Sequence, residues 1–211
     1  MKRSLLSSCL IIACVVAACS PPILKGFYRE KTADIENQNL YPVFSSGDSV
    51  RRFNMQIDYR KNHLSGMLII KPIGENTYRV ALTSYFGLSI FDFEFGKTGF
   101  KIYQCMEELN KKVVINTLKN DFSALFFLNL SQNGNKAIIY RNKSDEALEI
   151  NKINNYYYLK NNQTKELLGM EAPHFFSSLR YTFSEYEDQF PRVIGIQHTH
   201  IGLKLRLDKI K

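Results

Sequence analysis

His198-Thr199-His200 is the short constellation in this 211-residue sequence whose residue types suggest a metal site. Residues i and i+2 of a strand point to the same face, so two imidazoles there could chelate Zn²⁺ or Cu²⁺. A third ligand is not evident, since His63 and His174 are distant in sequence. The pair also falls where a hairpin turn is expected, so the expectation is an exposed polar turn and no metal. Asp92 and Glu94 alternate with phenylalanines and are expected on a solvated outer sheet face, not as a catalytic dyad. Ser45-Ser46-Gly47 has loop composition and no assignable base. No Gly-x-Ser-x-Gly, Walker-type loop, Cys-x-x-Cys or His-Glu-x-x-His occurs. The chain therefore carries no catalytic residue that we can assign, and no cofactor is expected beyond a covalent lipid.

That lipid is implied by the N-terminus. Met1-Lys2-Arg3-Ser4 is a cationic start, and Leu5 to Ala18 is an apolar stretch too short to span a bilayer comfortably but suited to a signal-peptide core. It ends Val16-Ala17-Ala18-Cys19, which resembles the lipobox of bacterial lipoproteins. That resemblance implies diacylglyceryl transfer to the Cys19 thiol and cleavage before it. Of the four cysteines, Cys9 and Cys14 would leave with the leader and Cys19 would be acylated, so Cys105 remains alone and no internal disulfide can form. Cys105 is expected as a buried small hydrophobe. The formal charge of +8 falls by two to +6 when Lys2 and Arg3 are removed. That mildly basic balance could favour anionic headgroups or acidic proteins, yet the basic residues are spread rather than clustered, so most are expected on a solvated surface and nucleic acid is not expected as a partner.

The composition, 45% hydrophobic and 23% charged with 11 Gly and 6 Pro, excludes collagen-like, disulfide-dense and disordered classes. We divide the chain into a leader (1–18), a lipidated tether with a short helical or irregular cap (19–48), and one folded domain (49–211). Phe53, Met55, Ile57 and Tyr59 open a strand pattern, continued by Leu64 to Ile70, Tyr78 to Thr83, Leu88 to Phe95 and Phe100 to Gln104. Turn chemistry separates them, so an antiparallel meander is expected. The period then changes, and Leu109, Val113, Val114, Leu118, Phe122, Leu125 and Phe126 predict an amphipathic helix from about 107 to 128. Alternation resumes from Ala137 to Ile210, giving about a dozen strands and one long helix. The fold class is mainly β with one long helix (α+β): a strongly curved antiparallel sheet, an incomplete barrel with its concave side partly covered by the helix. A closed barrel with a plugging helix, or a sandwich, are the alternatives.

Three segments, in order, resemble the LolA/LolB superfamily of lipoprotein carriers, and within it the outer-membrane receptor branch, LolB. The first is Gly74 to Gly87, where the Tyr78-Arg79 strand runs into a short loop ending in an apolar residue and Gly. The second is the amphipathic helix, and the third is Phe190-Pro191-Arg192-Val193-Ile194-Gly195-Ile196 followed after a polar turn by Gly202 to Asp208. The resemblance implies an apolar concavity that shelters acyl chains of a client lipoprotein, and a loop that delivers the client to the membrane. Phe86, preceded by Tyr85, stands where the delivering apolar residue would be, although the family's usual pair is Pro-Leu. Aromatic rings suit the headgroup boundary.

An acyl chain offers no hydrogen bonds, and its burial is worth about 0.8 kcal/mol per CH₂, so a carrier needs a long apolar trough. Candidate lining residues are Leu68, Ile70, Tyr78, Val80, Leu82, Phe91, Phe93 and Tyr181; the alternative is that they form a filled core. The implied protein is a monomer anchored by lipid to the outer membrane and facing the periplasm, with acyl chains, and a periplasmic lipoprotein carrier, as partners. Competing readings are a non-catalytic anchored subunit of an envelope assembly, and a metal-binding lipoprotein using His198 and His200.

Overall fold

A computed structural model describes residues 21–35, 40–45, 47, 49–96, 99–130, 136–174 and 177–210. Among them are thirteen antiparallel strands in one sheet and one α-helix. The strands are β1 (Phe27–Asp34), β2 (Arg51–Tyr59), β3 (Asn62–Gly74), β4 (Thr77–Thr83), β5 (Ser89–Gly96), β6 (Gly99–Cys105), β7 (Lys136–Asn142), β8 (Leu148–Ile153), β9 (Tyr156–Asn161), β10 (Glu166–His174), β11 (Ser177–Glu187), β12 (Phe190–His198) and β13 (Leu203–Lys209). The spatial order is β1-β7-β8-β9-β10-β11-β12-β13-β2-β3-β4-β5-β6. Sequence neighbours thus pair except where β13 returns beside β2 and β1 beside β7. The helix, α1 (Lys112–Leu125), lies in the connection from β6 to β7.

Register follows from which face each apolar residue must occupy. Phe53 lies opposite Leu68, Leu68 opposite Leu82 and Leu82 opposite Phe91. Ile70, Val80 and Phe93 form the next row. These side chains, with Leu203, Leu205 and Leu207 of β13, are buried in one core together with the stripe Val114, Ile115, Leu118, Phe122 and Leu125 of α1. The helix therefore covers one face of the sheet. Tyr78 stacks on Phe126 at 4.2 Å, and Phe95 meets Phe122 at 5.5 Å.

Two expectations change. The helix is shorter than 107–128 because residues 106–110 form a turn, with Leu109 N–H and Asn110 N–H both donating to the Met106 carbonyl, and Lys111 is extended. At the other end Phe127 adopts φ 55°, a left-handed conformation that stops the helix. Leu109 and Phe126 keep their places in the core from outside the helix, which is why the apolar periodicity overran it. The second change concerns the stretch 19–48, expected as a tether. Residues 27–34 within it are strand β1, paired with β7 from Phe27↔Asn142 to Asp34↔Lys136, and Leu40, Val43 and Phe44 are buried. β1 is an edge strand held by backbone bonds and the Arg141–Glu30 ion pair (3.2 Å), so it has no apolar alternation to betray it.

Farther from α1 the same face becomes polar. Lys160 Nζ lies 3.0 Å from Glu149 Oε1, both buried, and Arg141 approaches the other carboxylate oxygen at 3.3 Å. Buried charges persist only when paired in this way.

Gly66 marks a close approach. A Cβ there would sit 2.1 Å from the Thr83 carbonyl oxygen and 3.2 Å from Ser84 Cα, where the chain leaves β4 across β3. Backbone rather than a flexible side chain is in the way, so Gly66→Ala is expected to cost about 3 kcal/mol by forcing β3 and β4 apart. Urea unfolding measures this, and a loss below 1 kcal/mol would show that the crossing adjusts freely.

Candidate functional site

Tyr85, Phe86 and Leu88 lie between β4 and β5. Ser84 N–H donates to the Leu88 carbonyl (2.8 Å), Gly87 N–H to the Ser84 carbonyl (3.0 Å), and Leu88 N–H to Ser84 Oγ (3.1 Å). Gly87 takes φ 83°, which a side chain would resist. This closed turn leaves Phe86 95% exposed, Leu88 70% and Tyr85 62%, with the Tyr85 hydroxyl 3.4 Å from Asn54 Oδ1. The burial of three such side chains is forgone, which isolated chance exposure does not explain.

Leu68, Ile70, Tyr78, Val80, Leu82, Phe91, Phe93 and Tyr181 are all brought together on the helix-covered face, each at most 1% exposed. They pack against each other and against α1 and Phe126, with Phe91 and Phe93 stacked at 4.6 Å and Phe91 6.4 Å from Phe122. In this packing none of them is open to a ligand. Cys19 lies outside the described residues.

The two histidines line one cleft of about 260 Å³ with Tyr156 but differ in burial and partners. β12 ends at His198, whose register opposite Leu179 and Leu203 places it on the helix-covered face, while Thr199 to Gly202 form the turn and His200 is exposed. His198 is thus not the turn residue expected from sequence. Its Nε2 lies 2.9 Å from both carboxylate oxygens of Asp121, which is fully buried on α1, and the Tyr181 hydroxyl lies 3.4 Å from Asp121 Oδ1. Burial pushes the Asp121 carboxyl up, against the opposing pull of His198 and then Tyr181. Burial also pushes the Tyr181 phenol well up, with the Asp121 charge adding to it. This cluster went unnoticed in the sequence, yet a signal existed: Val114, Leu118, Asp121 and Leu125 share the core stripe at spacings of four, three and four, so the acid interrupts it. Among the described residues no group of three His, Cys, Asp or Glu could hold a metal ion.

Asp92 and Glu94 are not simply solvated. Arg79 Nε and Nη2 donate to the two oxygens of Asp92 at 2.5 and 2.9 Å, and the guanidinium lies 3.4 Å from the Tyr103 ring centroid. Glu94 accepts from Lys101 (3.0 Å) and the Tyr103 hydroxyl (2.8 Å). Both acids have structural partners, and the arrangement is a clasp across β4, β5 and β6. Cys105 is half-buried, and burial pushes its thiol up, away from the reactive thiolate.

Two clefts adjoin the start of α1. One, of about 490 Å³, is lined by Ile57, Tyr59, Lys61, His63, Met106, Leu109 and Lys111 among others. It shares Ile57, Tyr59 and Leu109 with a small apolar pocket of about 10 Å³, room for about one water molecule, lined also by Val114, Leu118 and Leu203.

No family model and no curated protein matches the chain. Among solved structures, it is similar to a LolA superfamily protein from Nitrosomonas europaea, with 11% identity over 84% of this chain and 90% of that one and a TM-score of 0.52. It is also aligned with a DUF1329 family protein from Desulfovibrio piger, at 13% identity over 80% and 86% of the two chains, with a TM-score of 0.42. The first likeness defines the fold as LolA-like, a mainly antiparallel β-sheet with one helix.

Proposed function

We propose that this chain is a lipidated envelope protein that binds lipid or lipoprotein acyl chains beneath α1 and passes lipoproteins to the outer membrane, as LolB-type receptors do. In this reading Cys19 carries the anchor, Tyr85 and Phe86 enter the membrane boundary, and the eight inner-face residues line the trough after α1 lifts. The domain faces the periplasm as a monomer and takes its cargo from a periplasmic lipoprotein carrier. The observation that carries the reading is Phe86, held almost wholly in solvent by a hydrogen-bonded turn. The LolA-like fold supports it. Native mass spectrometry of the chain with Cys19→Ala, exported to and purified from the periplasm, tests it. A co-purifying acyl species is expected, and a protein that is empty and refuses added lipopeptide would overturn the reading.

A second reading has its own support. The would-be trough is filled by aromatic side chains at most 1% exposed, as in an anchored interaction subunit whose interior never opens. The same experiment separates the two.

A further inference from the structure

The cleft at the start of α1 is open where the core is closed. We propose that it admits an amphiphile with an acidic headgroup, the acyl chain lying along Ile57, Tyr59, Leu64 and Leu109 and the headgroup held by Lys61 and Lys111. This deepens the acyl-binding reading above and rests on it.

Three observations carry the proposal. First, the cleft combines two chemistries in the order an amphiphile needs. Its floor is apolar through Ile57, Tyr59, Leu64 and Leu109, and its mouth presents Lys61 and Lys111. At about 490 Å³ it falls in the size range of small-molecule sites.

Second, the cations are placed against local preference. α1 begins at Lys111-Lys112 with no acid in its first turn and no side-chain cap, although a helix start favours acids and disfavours cations. Neither Lys61 nor Lys111 has an ion-pair partner among the described residues, which they share with exposed lysines such as Lys143 and Lys165, so what singles them out is their place together at the cleft. Glu108 also lines the cleft, and His63 is engaged by Asp58 at 2.5 Å, so the free positive charge at the mouth resides on the lysines. Local rules broken without structural gain mark functional positions.

Third, the cleft opens beside the exposed turn. Gly66 of β3 touches the backbone of Thr83 and Ser84, and Met106 N–H donates to the Ile90 carbonyl just past Leu88. The β2–β3 hairpin tip, residues 84–88 and the start of α1 therefore share one end of the sheet. Val113, 61% exposed, adds another apolar side chain there. A protein touching a bilayer with Phe86 would present this mouth to the headgroups.

The test compares two lysolipids of the same acyl chain, lysophosphatidylglycerol and lysophosphatidylcholine, below their micelle concentrations, by titration into the full chain carrying Cys19→Ala. The anionic lipid is expected to bind about fivefold more tightly at low ionic strength. The preference should fade in about 0.5 M salt, where exposed charges are screened. Lys61→Gln with Lys111→Gln should abolish the preference, weakening the anionic lipid by about fivefold more than the zwitterionic one. Lys143→Gln with Lys165→Gln, the same charge change in turns between other strands, should preserve it. Equal affinities in the unsubstituted protein, or a preference that survives the first pair of substitutions, would overturn the headgroup site while leaving acyl binding intact. Glycerol phosphate alone binding as tightly as the lysolipid would mean a free-anion site and also overturn it. Binding of neither lysolipid would remove the acyl-binding reading itself.

Discussion

Asp121→Ala is expected to lower the unfolding free energy by about 3 kcal/mol, because it removes one partner of a buried hydrogen-bonded pair and leaves the others facing apolar side chains. His198 would lose both contacts at 2.9 Å and the Tyr181 hydroxyl its carboxylate, beneath Leu118, Phe122 and Leu125. Asp121→Asn keeps the shape and one acceptor, and should cost about 1 kcal/mol. Urea denaturation at constant pH measures both. Equal, small losses for the two variants would show that the cluster contributes shape alone.

The pH dependence gives this prediction a sign. Burial raises the Asp121 carboxyl in the folded protein above its ordinary value of 3.8. Between that value and the raised one, the folded state binds more protons at this group than the unfolded chain does. Stability contributed by Asp121 is therefore greatest at and below the ordinary carboxyl range and is lost as pH rises through the folded pKa. The difference in stability between the unsubstituted protein and Asp121→Asn should shift in favour of the carboxyl-bearing protein as the solution is acidified across that window. A difference independent of pH would mean that the carboxyl titrates alike in both states.

Phe86→Glu should reduce association with phospholipid vesicles by about tenfold or more, since burying a phenylalanine is worth about 1.5–3 kcal/mol and a carboxylate cannot replace it. Because Phe86 is 95% exposed and the turn is held by Ser84, Gly87 and Leu88, unfolding stability should change by less than about 0.5 kcal/mol. Phe86→Leu should retain most of the binding. Vesicle co-sedimentation beside urea unfolding separates the effects, and undiminished sedimentation of the glutamate variant would remove the turn from membrane contact.

Much of the fold was legible in the sequence because the sheet has one buried face. Phe53, Met55 and Ile57 alternate with Asn54 and Gln56, and Leu203, Leu205 and Leu207 with Lys204 and Arg206, so strand and inner face follow from period two alone. The turn at Ser84–Leu88 was legible too, because Gly87 and the aromatic pair break alternation in a place only a loop would tolerate. β1 was not: its burial is slight, its pairing is backbone chemistry, and its partner β7 lies about a hundred residues away in the sequence.

The candidate site divides along the same line. The sequence by itself determined the alternating strands, the apolar helical stripe and the turn at Phe86-Gly87, since each is a local pattern of residue type and spacing, while the exposure of Phe86 and the lipid on Cys19 were expectations implied by resemblance. Only the tertiary structure decided that His198 turns inward to Asp121, 77 residues away, while His200 stays in solvent. It alone placed Lys61 and Lys111 at one mouth and showed the inner face packed under α1. Strand ends, the register between distant strands and the seat of a helix are set by the combined packing of many side chains, and no window of sequence contains that sum.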